Sequence, residues 1–231
     1  MDESKKQIYY HKNPENNNLT IPTLLKKSEI STIEKFIEKN IGKNNMVFHE
    51  VVSDIIHVDI YMIEPRKEHD FYTLVTVGMS ALPMYTPLNV TNKYIELMIS
   101  LPKTWKLKQE ELKDENNYWP IRILKEVARF PFIFKTWLGF GHTIPNGNPP
   151  EAFSETAKFN GVLLLPSLIY KKSWKCRVGL FKEVQFLTIH PLYENEMDFK
   201  IEHGVDALLN KFDENKVNEI VDIKRPEISF I

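Results

Sequence analysis

The chain has a single cysteine, Cys176, among 231 residues, so no intramolecular disulfide can brace it. That scarcity fits a reducing compartment. Long apolar runs are missing too. The longest, residues 161–166, is strand-sized and far short of the ~20 residues a membrane helix needs. The first residues are charged and carry no apolar stretch, so no secretory leader is expected and the expected location is cytoplasmic. No sign of charge dominates: 30 basic against 31 acidic residues leave a net charge of −1. That balance makes no electrostatic case for nucleic acid or a membrane as partner. Catalytic signatures are absent as well. There is no HExxH metal motif and no P-loop, and Gly139-Phe140-Gly141 lacks the third glycine of a dinucleotide loop. No internal repeat is present.

What is there is a globular composition, 42% hydrophobic and 26% charged, with enough aromatic residues (12%) to argue against disorder. Residues 1–27 are polar and rich in Asn and Lys, and read as a loosely held arm. Residues 28–231 read as one domain.

The most patterned stretch is residues 46–80. It reads as a long strand, a charged turn at 64–68 and a second strand pairing back over 71–77. Along the first run Val52, Asp54, Ile56, Val58, Ile60 and Met62 share the face expected to meet the core. Val51, Ser53, Ile55, His57, Asp59 and Tyr61 share the other. Before it, Ser31 and Glu34 have capping-box spacing on a helix whose stripe is Ile30, Ile33, Phe36, Ile37 and Ile41. Gly42 is placed to end that helix in a left-handed conformation.

After it come a strand at 94–101 and a helix with Pro120 in its first turn. A turn-rich loop at 139–150 follows, then strands at 159–166, 174–181 and 184–190. Met197, Ile201, Val205, Leu208 and Phe212 define one more helix, and 218–223 is a candidate last strand. Many neighbouring strands lack room for a helical crossover. The expected fold is therefore α+β: a mixed, mostly antiparallel sheet with about three helices packed on it, in a single domain.

His57-x-Asp59 sets an imidazole beside a carboxylate. Such a pair can bind a metal, act as an acid/base couple, or be a hydrogen-bonded structural pair. No second motif supplies further ligands, so no metal or cofactor is expected. In the 139–150 loop, Gly141, His142 and Asn146 are either structural turn residues or partner contacts. Cys176 has no base near it in sequence and reads as a packed thiol. Glu194, Glu196 and Asp198 at a helix start suit the helix dipole, with a cation site as the alternative.

Several blocks in order are similar to the suppressor-of-fused domain family. They are residues 49–61 (HEVVSDIIHVDIY), 71–80 (FYTLVTVGMS), 94–102 (YIELMISLP), 119–131 (WPIRILKEVARFP), 141–147 (GHTIPNG), 161–166, 186–196 and 204–209. The match is to the compact bacterial single-domain type. The resemblance implies one α+β domain with no catalytic centre and no catalytic residues to transfer. Animal members bind transcription factors of the Hedgehog pathway by adding a peptide strand between this domain and a second, C-terminal one. The chain ends at Ile231 without that second domain, so the transcription-factor role is not expected here. Bacterial members resemble immunity proteins encoded beside toxins. The leading expectation is a non-catalytic protein-binding module, an immunity protein that binds and neutralises a cognate toxin encoded nearby. Its contacts would include His57, Asp59, Gly141, His142 and Asn146. The alternatives are a metal-dependent or acid/base enzyme using His57 and Asp59, and a structural homodimer.

Overall fold

The computed structural model describes residues 8, 11, 21–53, 55–171 and 174–230. Most of the expected arm, and Asp54 of the expected core face, lie outside them. Among the described residues the strands are β1 (Met46–Phe48), β2 (Asp59–Ile63), β3 (Phe71–Val77), β4 (Tyr94–Pro102), β5 (Thr143–Pro145), β6 (Gly161–Leu165), β7 (Lys175–Val178) and β8 (Lys182–Leu192). The α-helices are α1 (Lys27–Asn40), α2 (Glu115–Ile133), α3 (Glu194–His203) and α4 (Val205–Glu214).

One open sheet runs β1-β2-β3-β4-β8-β6-β5, and β7 also pairs with β8. Among the named strands of the described residues, β4 and β8 pair in parallel and the other pairings are antiparallel. This is the α+β, mostly antiparallel architecture expected. Both faces of the sheet are covered. Ile60, Met62, Ile95, Leu97 and Ile99 pack under Trp119, Leu124 and Ala128 of α2. Tyr61, Val75, Met98 and Phe186 pack under Ile33 and Ile37 of α1. Leu163, Leu165 and Leu192 meet Met197, Leu208 and Phe212 of α3 and α4. Each large apolar side chain so buried contributes roughly 1.5–3 kcal/mol.

The sheet is stapled by a buried carboxylate. Glu96 of β4 is fully buried and accepts from Thr76 Oγ1 and Ser80 Oγ at 2.6 Å and from the Gly78 and Ser80 N–H groups at 3.0 Å. Burial pushes its pKa up, against the pull of these donors. The turn holding those donors lies close to the chain before β2. A Cβ on Gly78, at φ 136°, would sit 2.0 Å from the His57 carbonyl oxygen, so only glycine fits.

Several elements depart from the sequence reading. The long strand of 46–63 is two short antiparallel strands, with residues 49–58 looping between them. The side chains of Glu50 and Asp59 satisfy that loop's backbone, as described below. Ile56, Val58, Ile60 and Met62 are buried as expected, but Val52 is 78% exposed. α1 starts at Lys27, four residues before Ser31, because Glu29 Oε2 accepts the Lys26 N–H at 2.9 Å. Gly42 follows it at φ 155°, a positive-φ conformation that favours glycine as expected, though wider than the left-handed helical one. α2 starts at Glu115, where Asp114 accepts the Asn116 N–H, so Pro120 lies beyond the first turn. The last helix is broken at Gly204 into α3 and α4, giving four helices where about three were expected. Residues 218–223 contribute one bridge, Ile220 to Ser100, and no strand. The 139–150 loop contains β5.

Candidate functional site

The residues expected to contact a partner fall into two places. His57 and Asp59 sit at the start of β2; Gly141, His142 and Asn146 flank β5. Five strand spacings separate β2 from β5 in the sheet, roughly 24 Å at about 4.8 Å each.

The first place is a closed polar lattice. Asp59 Oδ1 accepts from the Glu50 N–H and lies against His57 Nε2, both at 3.0 Å. Asp59 Oδ2 meets His49 Nδ1 at 3.2 Å. Glu50 Oε2 accepts from Ser53 Oγ at 2.6 Å and from the Val58 N–H at 3.2 Å. Glu50 Oε1 is ion-paired with Arg129 of α2 and lies 3.9 Å from Lys125 Nζ. Ser53 Oγ is also 2.9 Å from His57 Nδ1.

Burial raises the Glu50 pKa, but the bonds from Ser53, Arg129 and the Val58 N–H outweigh it and hold the carboxyl below its usual range. Burial lowers the Lys125 pKa, and Glu50 only partly restores it. The Ser-His-Asp row looks like a catalytic relay, but the serine's one hydrogen goes to Glu50. With that hydrogen committed to Glu50, Ser53 has no proton for His57 to take. Among the described residues no three His, Cys, Asp or Glu side chains converge as metal ligands. The lattice ties the loop to β2 and to α2.

The second place is open. β5 is the last strand of its sheet. The His142 carbonyl accepts from the Leu164 N–H at 3.0 Å, and the Asn146 N–H donates to Asn160 O at 2.8 Å. The residues between alternate, so Thr143 turns its N–H and carbonyl away from β6, and Pro145 adds a carbonyl with no N–H. Gly141, at φ 75°, also donates to Leu164 O at 2.8 Å. Two residues thus face one, the pattern of a glycine bulge that re-aims the next side chain.

That side chain is His142, packed edge-on to Trp137 at 4.4 Å. Burial and the nearby Lys200 charge push its pKa down to about 4. Burial also lowers the Lys200 pKa, and among the described residues no carboxylate pairs with it. Phe140 beside the bulge is exposed. Asn146 is a turn residue: its amide donates to Glu151 O at 2.7 Å.

Sequence reasoning missed Glu50 and Ser53 because it read residues 49–61 as a strand with period two, although they stand in the quoted block. Arg129 and Lys125 lie in a helix whose sequence signal is its apolar stripe, which says nothing of its charged face. Lys200 carries no local signal; its isolation appears only once α3 is packed. Elsewhere, Cys176 is buried and its thiol pKa rises to about 11, consistent with a packed side chain. Glu196 at the start of α3 accepts from the Tyr193 N–H at 3.0 Å and pairs with Arg225 through both oxygens at 2.6 Å.

A family model described as suppressor of fused protein (SUFU) matches residues 54–226. No curated protein matches the chain in sequence. Three solved structures are similar. A suppressor of fused homologue from Neisseria gonorrhoeae FA 1090 has 17% identity over 89% of this chain and 97% of its own, with a TM-score of 0.58. A structure of the Sufu–Fu complex has 16% identity over 90% and 93%, with a TM-score of 0.59. Drosophila Suppressor of Fused has 16% identity over 86% of this chain but 50% of its own, with a TM-score of 0.57. At these identities the likeness shows the fold alone.

Proposed function

This chain belongs to the suppressor of fused family, and from that premise we propose that it is a non-catalytic protein-binding module whose binding site is the β5 edge. The observation that carries this is the open side of β5: an N–H and carbonyl on Thr143 that meet no partner among the described residues, next to His142, which feels the Lys200 charge. An extended segment of a partner can add there as a further strand, with main-chain bonds giving affinity and flanking side chains giving specificity. The structural neighbour solved as a Sufu–Fu complex supports a protein as the partner class.

Gly141 shapes the bulge, His142 and Asn146 frame the edge, and Lys200 selects an acidic residue on the incoming segment. His57 and Asp59 hold the far side of the sheet and lie outside this contact. The role we propose is that of an immunity protein that binds and neutralises a toxin encoded beside it.

Pull-down with proteins encoded by neighbouring genes tests the reading. A neighbour should be captured by the chain. Thr143→Pro removes the outward N–H at a position where an edge strand tolerates proline, and it should reduce capture about tenfold or more. Absence of capture above background, or equal capture by Thr143→Pro, would overturn it.

A further inference from the structure

The chain's net charge of −1 conceals a local concentration of positive charge at the β7–β8 turn. The β7 side chains alternate: Cys176 and Val178 are buried, while Lys175 and Arg177 face outward. The turn that follows, Gly179 to Phe181, stands clear of the fold. A Cβ built on Gly179 would meet nothing within 4 Å. At its apex Leu180 is 77% and Phe181 97% exposed. Side chains of that size are rarely offered to water together without a use.

Lys182 at the foot of the turn is bonded to Glu29 of α1 at 3.0 Å, which brings the start of α1 alongside. Leu24, Lys26 and Lys27 there are all exposed. Lys26, Lys27, Lys175 and Arg177 are thus four exposed cations on the two elements that meet at Lys182, whose own ammonium is largely buried against Glu29. They are opposed by two carboxylates, each already paired: Glu29 with Lys182 and Glu183 with Lys175.

We propose that this apex is a membrane-surface contact: Leu180 and Phe181 enter the headgroup region of an anionic bilayer while the exposed lysines and Arg177 meet its phosphates and carboxylates. The shape favours lipid over a protein partner. A stable protein interface needs about 800 Å² of complementary surface on each side. A convex two-residue apex does not offer that, whereas a bilayer interface accepts a protruding apolar tip flanked by cations. Each cation near an anionic surface strengthens binding about fivefold, and salt screens the effect. The contact is on a different surface from the β5 edge and does not depend on it.

Co-sedimentation of the full chain with phosphatidylcholine vesicles, with and without phosphatidylserine, tests the proposal. The chain should pellet with the phosphatidylserine vesicles, stay in the supernatant with phosphatidylcholine alone, and be released by high salt. Leu180→Ser combined with Phe181→Ser should lower the bound fraction at least about tenfold. The melting temperature should not change, since both side chains are exposed. Arg177→Glu should lower binding about fivefold or more. Failure to pellet with phosphatidylserine, or pelleting of the double variant equal to wild type, overturns the proposal. Retention on immobilised polyglutamate that exceeds vesicle binding and is lost with the same substitutions also overturns it, assigning the surface to an acidic polypeptide.

Discussion

At the β1–β2 loop, two carboxylates engage His49, Ser53, His57, Lys125 and Arg129, and the loop's own N–H groups complete the set. At the β5 edge, Lys200 meets no carboxylate among the described residues, and Thr143 points both backbone groups outward. The two regions hold similar residue types and differ in how far their bonding capacity is already spent. A saturated polar cluster rigidifies and specifies a fold, because each member would cost more alone than together. An unsaturated one is costly to keep and signals a partner. On the proposed function, the lattice is structure and the edge is the binding site.

The sharpest way to break this contrast is to open the lattice. Glu50→Ala leaves Arg129 and Lys125 facing each other half-buried and removes the acceptor for the Val58 N–H. It should cost about 3 kcal/mol in urea denaturation, with partner capture retained by the fraction still folded. His57→Ala removes two hydrogen bonds and should cost about 1.5 kcal/mol. It should alter neither capture nor the metal content of the purified chain; a fall in bound metal would revive the enzymatic alternative.

The pH dependence separates the regions next. His142 has a folded pKa of about 4, below its unfolded 6.5. The unfolded chain therefore takes up its proton first, and stability falls as pH drops from 6.5 to 4, by roughly 2 kcal/mol for this group. His190, buried and likewise held at about 4, acts in the same direction. Glu50 is depressed below its ordinary 4.5, so its contribution persists above 4.5 and is lost only as pH falls below that. His142→Gln should flatten the slope between 6.5 and 4 and leave the acid limb below 4.5 in place, as followed by melting temperature against pH.

The smallest effect carries an opposite sign. Lys200→Met removes a half-buried charge with no carboxylate partner among the described residues, so it should stabilise the chain by about 1 kcal/mol while weakening capture about tenfold. A loss of stability would mean that Lys200 is structurally satisfied and that the contrast is false.

The sheet was legible because its strands are apolar on both faces and bounded by turn residues, as in 71–77 and 94–102. The loop at 49–58 was not, since its alternation of apolar and polar residues imitates a strand. Only the carboxylates of Glu50 and Asp59, bonding back to the chain, reveal it as a loop. The break at Gly204 was hidden for a related reason: apolar spacing continues through it from α3 into α4. Of the site, the flanks of β5 were legible as a glycine- and proline-rich turn. Edge position and the isolation of Lys200 are products of strand order and helix packing, to which local pattern is blind.

Amide hydrogen exchange at Thr143, with and without the captured partner, tests the central claim most directly. The account predicts that the Thr143 N–H exchanges freely in the chain alone and becomes protected on partner binding, while the 49–58 loop does not change. Protection that appears at 49–58 and leaves Thr143 exposed would contradict it and move the binding site to the lattice.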